Sequence, residues 1–231
     1  ITTFLPISIQ YINFMQSDVI HQKYHQTMMI WLISLTIMIF LIIVIGGLTR
    51  LTDSGLSMVD WRPLLGSIPP LNNIQWIEVF EKYKLSPEFL YVNKNMTLED
   101  FKYIFWWEWF HRFFARLIGI VFIIPFFYFL YKKYLNNYFY KRFGIIFTLG
   151  LFQAFIGWWM VKSGLVNDPY VSPYRLTFHL TNAIIIYSFL LWTCIEYYHL
   201  KSLRFISFFK TNEFWVFISI IFVFITIMSG G

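Results

Sequence analysis

The sequence is poor in charged residues, which make up 13% of its 231 residues, whereas a soluble domain carries about a quarter. It contains a single cysteine, Cys194, so no disulfide can form within the chain. Hydrophobic residues make up 58% and aromatic residues 23%, and the mean hydropathy is +0.59. This composition excludes an ordinary soluble domain and indicates a protein embedded in the lipid bilayer.

Apolar runs of about 20 residues, the length that crosses a membrane as a helix, recur along the chain. We predict four spans, at residues 28–49, 104–131, 143–161 and 176–197, and the start of a fifth near Phe214. The fold class is therefore an all-α membrane protein, with a four-helix transmembrane bundle and the beginning of a fifth helix. The expected divisions are an N-terminal segment 1–27, the four-helix part 28–200 and the remainder 201–231.

Basic residues gather in the connections at one end of the predicted bundle. The net charge is +6, but the bases follow the loops and form no patch on a soluble surface, so nucleic acid is not an expected partner. Four bases and no acid fill the connection after the second span: Lys132, Lys133, Lys141 and Arg142. By the positive-inside rule, this connection and the N-terminus lie inside, and the segment 50–103 lies outside.

The outer segment 50–103 is too rich in aromatic residues to be disordered. Its apolar residues recur at helical spacing between residues 74 and 84, which favours a short helix in the membrane interface, although a loop accounts for them equally well. Thr97 followed by Asp100 resembles a helix start with a capping carboxylate. The second spanning helix is therefore predicted to begin near Leu98, outside the membrane.

Three ionisable residues lie where spans two and four enter the membrane. Glu108 precedes His111 by three residues in span two, and His179 lies at the matching end of span four. Ionisable groups at this depth are costly and usually functional. Two histidines at one level, on helices that run in the same direction, fit the axial ligands of one haem iron. An interfacial hydrogen-bonding role fits the histidines about as well, and Glu108 fits a salt bridge to Arg112 as well as a catalytic role.

Several bases surround these positions. Arg112 and Arg116 lie one turn apart and deeper in the membrane, so they need anionic partners such as a carboxylate or haem propionates. Three further bases form a rim at the outer ends of the other spans: Arg50, Lys162 and Arg175. Snorkelling of the side chain to the interface is the simpler explanation for each of these three alone.

Six blocks of sequence carry a resemblance to a known family. They are IGGLTRLT at 45–52, SGLS at 54–57, WRP at 61–63 with PPL at 69–71, WWEWFHR at 106–112, GWWMVKSGL at 157–165, and SPYRL at 172–176 with His179. Together they resemble haem A synthases of the mitochondrial and alphaproteobacterial type, over nearly the whole chain. Bacterial members can carry a cysteine pair in the outer loop, which this chain lacks.

The resemblance implies an oxidoreductase that converts a ring methyl group of haem O to the formyl group of haem A for cytochrome c oxidase. It implies Glu108 as the catalytic residue and His111 and His179 as ligands of the haem iron. The bases named above then become candidates for binding the propionates: Arg50, Arg112, Arg116, Lys162 and Arg175. The expected location is a bacterial plasma membrane or the mitochondrial inner membrane.

Members of that family have eight spanning helices in two similar halves. The chain resembles the first half, and Ser229-Gly230-Gly231 resembles the opening of the second. Substrate haem O is then expected in this half, and a haem b cofactor in a second half that the sequence truncates. Beside the bilayer and haem O, the resemblance implies an electron donor protein. It leaves haem O synthase, cytochrome c oxidase assembly factors and a second copy of the chain as further candidate partners.

Two other functions fit the same residues. In the first, both histidines hold a haem b permanently in an electron-transfer protein, and Glu108 only neutralises an arginine. In the second, the chain is a non-catalytic subunit for oxidase assembly or haem delivery.

Overall fold

The computed structural model describes residues 25–60, 68–135, 137–166, 168–199, 221–222 and 225–226. Six helices have both ends among these described residues: α1 His25–Leu51, α2 Asn73–Tyr83, α3 Pro87–Tyr91, α4 Leu98–Tyr131, α5 Asn137–Gly164 and α6 Pro173–His199. Four of these, α1, α4, α5 and α6, are long and apolar enough to cross a membrane. The described residues contain no strand, and the predicted all-α membrane fold is confirmed.

Each of the four predicted spans lies within one of these long helices, and the helices extend beyond most of the predicted ends. The first begins at His25, before the predicted start at residue 28, and the second begins at Leu98 as expected. The predicted fifth span near Phe214 lies almost wholly outside the described residues, as do residues 1–24 and the WRP block at 61–63.

The four long helices form a bundle in which neighbours run in opposite directions. Helix α1 packs against both α4 and α6, and α5 packs mainly against α6 and more lightly against α4. Helices α4 and α6 therefore lie on opposite sides of the bundle, with α1 between them. We call the end where α1 and α5 finish and α4 and α6 begin the loop end, because the connection 52–97 lies there.

A proline inside α4 determines how α1 and α4 meet. Pro125 has no backbone N–H, so the carbonyl of Val121, four residues earlier, lacks its usual helical donor. The indole Nε1 of Trp31, on α1, donates a hydrogen bond to this carbonyl at 2.8 Å. No water is available in the hydrocarbon to bind a free carbonyl. The indole of Trp31 therefore supplies the hydrogen bond that the Val121 carbonyl would otherwise lack.

The bases at the opposite end of the bundle are placed differently from the prediction. Lys141 and Arg142 were expected in the loop after span two, but both lie in α5, which begins at Asn137. Arg142 forms an ion pair with the buried Glu196 of α6, with Nη1 and Oε2 2.5 Å apart. The hydroxyl of Tyr138 donates to the same carboxylate. Arg142 therefore joins α5 to α6, and only Lys132 and Lys133 are bases of the connection itself.

At the loop end, the connection between α1 and α4 folds into a cap. The helix predicted between residues 74 and 84 is confirmed as α2, whose N-terminus is capped by Asn72. The predicted start of α4 is also confirmed, because Thr97 and Asp100 form a reciprocal capping box. Buried aromatic side chains pack the cap against the N-terminal part of α4: Trp76, Phe80, Tyr83, Phe101 and Phe105.

The cap encloses a carboxyl group that no sequence signal singled out. Glu88, in α3, is only 6% exposed and accepts a hydrogen bond from the hydroxyl of Tyr83 at 2.9 Å. Asn93 in turn donates to that hydroxyl at 2.8 Å. Burial is the main cause that raises the pKa of Glu88 to about 7. The hydrogen bond from Tyr83 lowers this pKa, and the negative charges of Glu108 and Asp53 raise it further.

We predict that the cap is more stable in acid than in base. Folded Glu88 holds a proton up to a pKa of about 7, whereas the ordinary value is 4.5, so the free energy of unfolding falls as the pH rises between these values. Hydrogen exchange of the α2 and α3 amides, corrected for intrinsic rates, should show protection declining between about pH 5 and about pH 8.

The neutral substitution Glu88→Gln should flatten this pH dependence. The exposed Glu81→Gln, which removes a surface partner of Lys84, is the control and should leave it unchanged. Protection that stays constant with pH in the unmodified protein would contradict the prediction.

Candidate functional site

The two histidines singled out in the sequence lie at the loop end, on opposite sides of the bundle. His111 lies in α4 and His179 in α6, and both are half-buried. Both therefore lie towards the same end of helices that run in the same direction, and their binding of one haem iron stays a prediction.

Each imidazole rests against a glycine of a neighbouring helix. A Cβ atom placed on Gly46 of α1 would lie 3.4 Å from Nε2 of His111. A Cβ atom placed on Gly157 of α5 would lie 3.0 Å from Cε1 of His179, closer than ordinary van der Waals contact. The two glycines thus supply the space that the rings occupy.

His179 has polar neighbours that the sequence analysis did not identify. The amide nitrogen Nε2 of Gln153, on α5, lies 3.3 Å from the ring Nε2 of His179 and donates to the His179 carbonyl at 3.1 Å. Asn182 donates to Oε1 of Gln153 at 2.7 Å. The other ring nitrogen, Nδ1, is buried and has no hydrogen-bond partner among the described residues. A glutamine and an asparagine inside predicted spans were the available signal, because polar side chains in a membrane usually have a function.

Glu108 is buried, only 2% exposed, and is bound on all sides. Its Oε2 accepts hydrogen bonds from the Ser57 hydroxyl at 2.6 Å and from the Met58 backbone N–H at 2.8 Å. Its Oε1 pairs with Arg112 one turn along α4. The salt bridge considered from the sequence is therefore present, and Glu108 also holds the chain that follows α1.

This chain reaches Glu108 through a tight turn at the end of α1. Asp53 has a φ of 47°, the left-handed conformation that often ends a helix. The N–H groups of Asp53 and Ser54 donate back to the carbonyls of Arg50 and Thr49. The turn directs Ser57 and Met58 towards α4, which explains why residues about 50 positions apart meet at one carboxylate.

The five bases proposed for propionates lie in different surroundings. Arg112 pairs with Glu108 and contacts the Met58 carbonyl, and Arg50 pairs with Asp53 at the surface. Arg116 is half-buried one turn beyond Arg112.

Two of these bases stack on tryptophan rings in α5. Arg175 lies over Trp159 and donates to its carbonyl at 2.8 Å. Lys162 is exposed, with its ammonium over Trp158. Both side chains therefore lie at the rim of the loop end and not in the interior of the bundle.

These observations define an integral membrane protein that holds two histidines between its helices at one end of a four-helix bundle. A family model described as cytochrome oxidase assembly protein (COX15-CtaA) matches residues 29–231. The chain belongs to this family. No solved structure matches it.

Curated relatives carry more specific names. A heme A synthase of Flavobacterium psychrophilum is 48% identical over 176 residues, which are 75% of this chain and 52% of the relative. A heme A synthase of Nitrosospira multiformis is 46% identical over 80% of this chain and 53% of its own length. Heme A synthase COX15 of Arabidopsis thaliana is 51% identical over 173 residues, which are 72% of this chain and 38% of the relative. The resemblance found in the sequence blocks is confirmed, and the chain spans about half the length of the first two relatives.

We predict that a methyl group at Gly157 displaces the His179 ring. Gly157→Ala places a Cβ atom 3.0 Å from Cε1 of His179, so the ring must move by a few tenths of an ångström. NMR spectra of the histidine ring should show shifted His179 signals. Gly150→Ala, on the same helix with no atom within 4 Å of the new Cβ, is the control. Unshifted His179 signals in Gly157→Ala would show that the glycine does not set the ring position.

Proposed function

We propose that this chain binds haem O between His111 and His179 and takes part in oxidising a ring methyl group to the formyl group of haem A. The observation that carries the proposal is the histidine pair, whose members lie on opposite sides of the bundle at the loop end, each with its ring against a glycine. The names of the relatives, heme A synthases, support the same activity.

The residues present fit a haem better than a bare metal ion. A porphyrin supplies four nitrogen ligands, so a haem iron takes only one or two from the protein. Within the described part of the chain, no group of three or more His, Cys, Asp or Glu side chains could hold a metal ion. Two histidines across a bundle, one with an unpartnered buried nitrogen, suit a flat ligand that brings the remaining nitrogens.

Glu108 is our candidate for the proton chemistry. Oxidation of a methyl group to a formyl group adds one oxygen atom, from water or dioxygen, and removes protons and electrons, so a base beside the ring assists it. Glu108 lies one turn before His111 on α4, and Arg112 balances its charge. We infer that its carboxylate accepts a proton or stabilises developing positive charge near the methyl group.

The propionates of the haem need cations at the edge of the site. Arg50 and Arg112 already pair with carboxylates, which weakens the case for them. The other candidates are Arg116, which is half-buried one turn beyond Arg112, and Lys162 and Arg175, which lie at the border of the loop end.

We further propose that the loop end faces outward, with the N-terminus inside, in a bacterial plasma membrane or the mitochondrial inner membrane. Lys132 and Lys133, at the opposite end, support this orientation. With water as the source of the formyl oxygen, the electrons removed from the substrate need an acceptor protein; with dioxygen as the source, its reduction needs an electron donor protein. Assembly of cytochrome c oxidase, for which the family is described, would consume the product.

The first test identifies the bound haem. The chain is expressed in cells that make haem O and purified in detergent, and the extracted haem is identified by chromatography and mass. We expect haem O or its oxidised derivatives in the unmodified chain, and at least about tenfold less in His111→Ala and in His179→Ala, because each would remove one proposed ligand of the haem iron. His25→Ala, at the far end of α1, is the control.

Other outcomes separate the alternatives. Haem b alone, bound tightly and without modification, would favour an electron-transfer protein. Haem O that is bound but never oxidised, with a defect only in oxidase assembly, would favour a delivery subunit. Absence of haem from the unmodified chain would overturn the proposal that this chain holds haem by itself.

The second test concerns Glu108. In cells where this protein is the only source of haem A, Glu108→Gln should retain haem but lower haem A production about 100-fold or more, the usual scale for loss of an acid–base group. Glu99→Gln, at the exposed start of the same helix, should leave production unchanged. Unchanged haem A output in Glu108→Gln would exclude the catalytic role.

A further inference from the structure

Helices α4 and α5 form the loosely packed side of the bundle. Helix α1 packs closely against α4 and α6, and α6 packs closely against α5, but α4 and α5 touch only lightly. Ring contacts join these two helices in the half away from the loop end. Phe126 meets Phe143 with ring centroids 6.3 Å apart, and Phe122 meets Phe147 at 6.2 Å. Phenylalanine rings therefore close this side of the bundle at its far end.

Nearer the loop end, small residues of the two helices face each other. Three residues beyond the last ring contact, the antiparallel register brings Gly119 of α4 opposite Gly150 of α5. A Cβ atom placed on either glycine would have no neighbour within 4 Å. One turn further, the same register brings Ala115 opposite Ala154, and both alanines are exposed. The helices therefore leave open space between these four positions.

This space interrupts the inward face of each helix. Glu108, Ala115 and Phe122 follow at intervals of seven residues, about two turns, and so lie on one face of α4. The first and last are buried, whereas the alanine between them is exposed. On α5, Phe143 is buried and Gly150, seven residues further, is exposed. Small residues four apart usually let membrane helices pack closely, but here they border a cleft. Its lining residues are Ala115, Gly119, Gly150 and Ala154.

The chain that follows α1 closes the cleft at the loop end. Leu56 is only 3% exposed, and a Cβ atom placed on Gly164, at the end of α5, would lie 2.6 Å from its Cδ1. The next two residues donate hydrogen bonds to Glu108 of α4. This segment therefore joins α4 to α5 on one side of the cleft, and the phenylalanine rings join them on the other. Because both helices are long and apolar enough to span a membrane, the opening between them faces lipid.

The cleft adjoins the two histidines. Ala115 lies four residues after His111 on α4, and Ala154 lies three residues before Gly157, the glycine against the His179 ring. The cleft therefore begins about one turn further from the loop end than both rings. The buried Nδ1 of His179 has no hydrogen-bond partner among the described residues, and it would lie 3.5 Å from a Cβ atom on Gly157. An open ring nitrogen and an unfilled apolar space thus lie at neighbouring levels.

We propose that the cleft holds the isoprenoid chain of the substrate haem, while the porphyrin ring lies at the histidine pair. The position of the ring rests on the proposed function. Haem O carries this long apolar chain and haem b does not. The lining side chains have no polar group, so they suit an apolar chain and offer a propionate no hydrogen-bond donor. The opening towards lipid allows a chain longer than the cleft to extend into the hydrocarbon. Contacts in the cleft would therefore favour haem O over haem b.

The first measurement compares the affinity of the purified chain for haem O and for haem b. Gly119→Leu fills the cleft and should weaken haem O binding about 10- to 100-fold, the scale of overpacking, and leave haem b binding unchanged. Gly144→Leu is the matched control. It makes the same exchange in α5, one residue beyond the Phe143 contact, where a Cβ atom again has no neighbour within 4 Å. It should change neither affinity. Far-ultraviolet circular dichroism confirms that both variants keep their helices.

The second measurement uses the haem-free chain, with a photoreactive farnesyl alcohol as the probe. The labelled residues, identified by mass spectrometry of peptides, should lie on α4 and α5 beside the cleft, and unmodified farnesol should compete. Gly119→Leu should lower this labelling, and Gly144→Leu should not. Labelling that spreads evenly to lipid-facing residues such as Ile37 of α1, which is exposed, and that farnesol does not reduce would overturn the inference.

The two measurements separate the inference from the proposed function. Equal weakening of haem O and haem b by Gly119→Leu would overturn the inference, because the cleft would then shape the ring site. Unchanged binding of both haems would also overturn it, because a lipid or another part of the protein would then fill the cleft. Competed labelling in the cleft without haem binding to any form would support the isoprenoid site and refute the haem site. Haem O lost only in the histidine variants, with no labelling in the cleft, would leave the haem site standing and refute the isoprenoid site.

Discussion

The loop end of this protein depends on one carboxylate, that of Glu108. A charge buried where the bundle meets the cap is tolerated only when it is paired and fully hydrogen-bonded. Glu108 accepts hydrogen bonds from the Ser57 hydroxyl and the Met58 N–H, and it forms an ion pair with Arg112. These bonds join the turn after α1 to α4, one turn from His111. The shape of the candidate site and the placing of the loop therefore follow from the same interaction.

The sequence predicted the features that rest on local periodicity. The four spans, the short helix α2 and the capped start of α4 each have a pattern within a few residues. The ion pair of Glu108 with Arg112 is also local, because the two residues are four apart on one helix. Lys141 and Arg142 were misplaced because helix ends near polar residues lack a hydrophobic signal, and Glu196, the partner of Arg142, is 54 residues further along.

The remaining site residues depend on contacts between distant segments. Gly46 and Gly157 look like packing glycines in the sequence, and only the folded bundle shows that each faces an imidazole. No local sequence pattern predicts the hydrogen bond of Ser57 to the carboxylate of Glu108, 51 residues away. Gln153 and Asn182 did carry a signal, a polar amide in an apolar run, but their bonds to each other and to His179 depend on how α5 and α6 pack.

The hydrogen bond from Trp31 to the Val121 carbonyl has a consequence for His111, which lies ten residues earlier on α4. Helices α1 and α4 touch at this bond and again where Gly46 meets His111. Two contacts at different heights fix both the rotation of α4 about its axis and its sliding along α1. The direction in which His111 points is thus set partly by an indole that contacts α4 ten residues further along the helix.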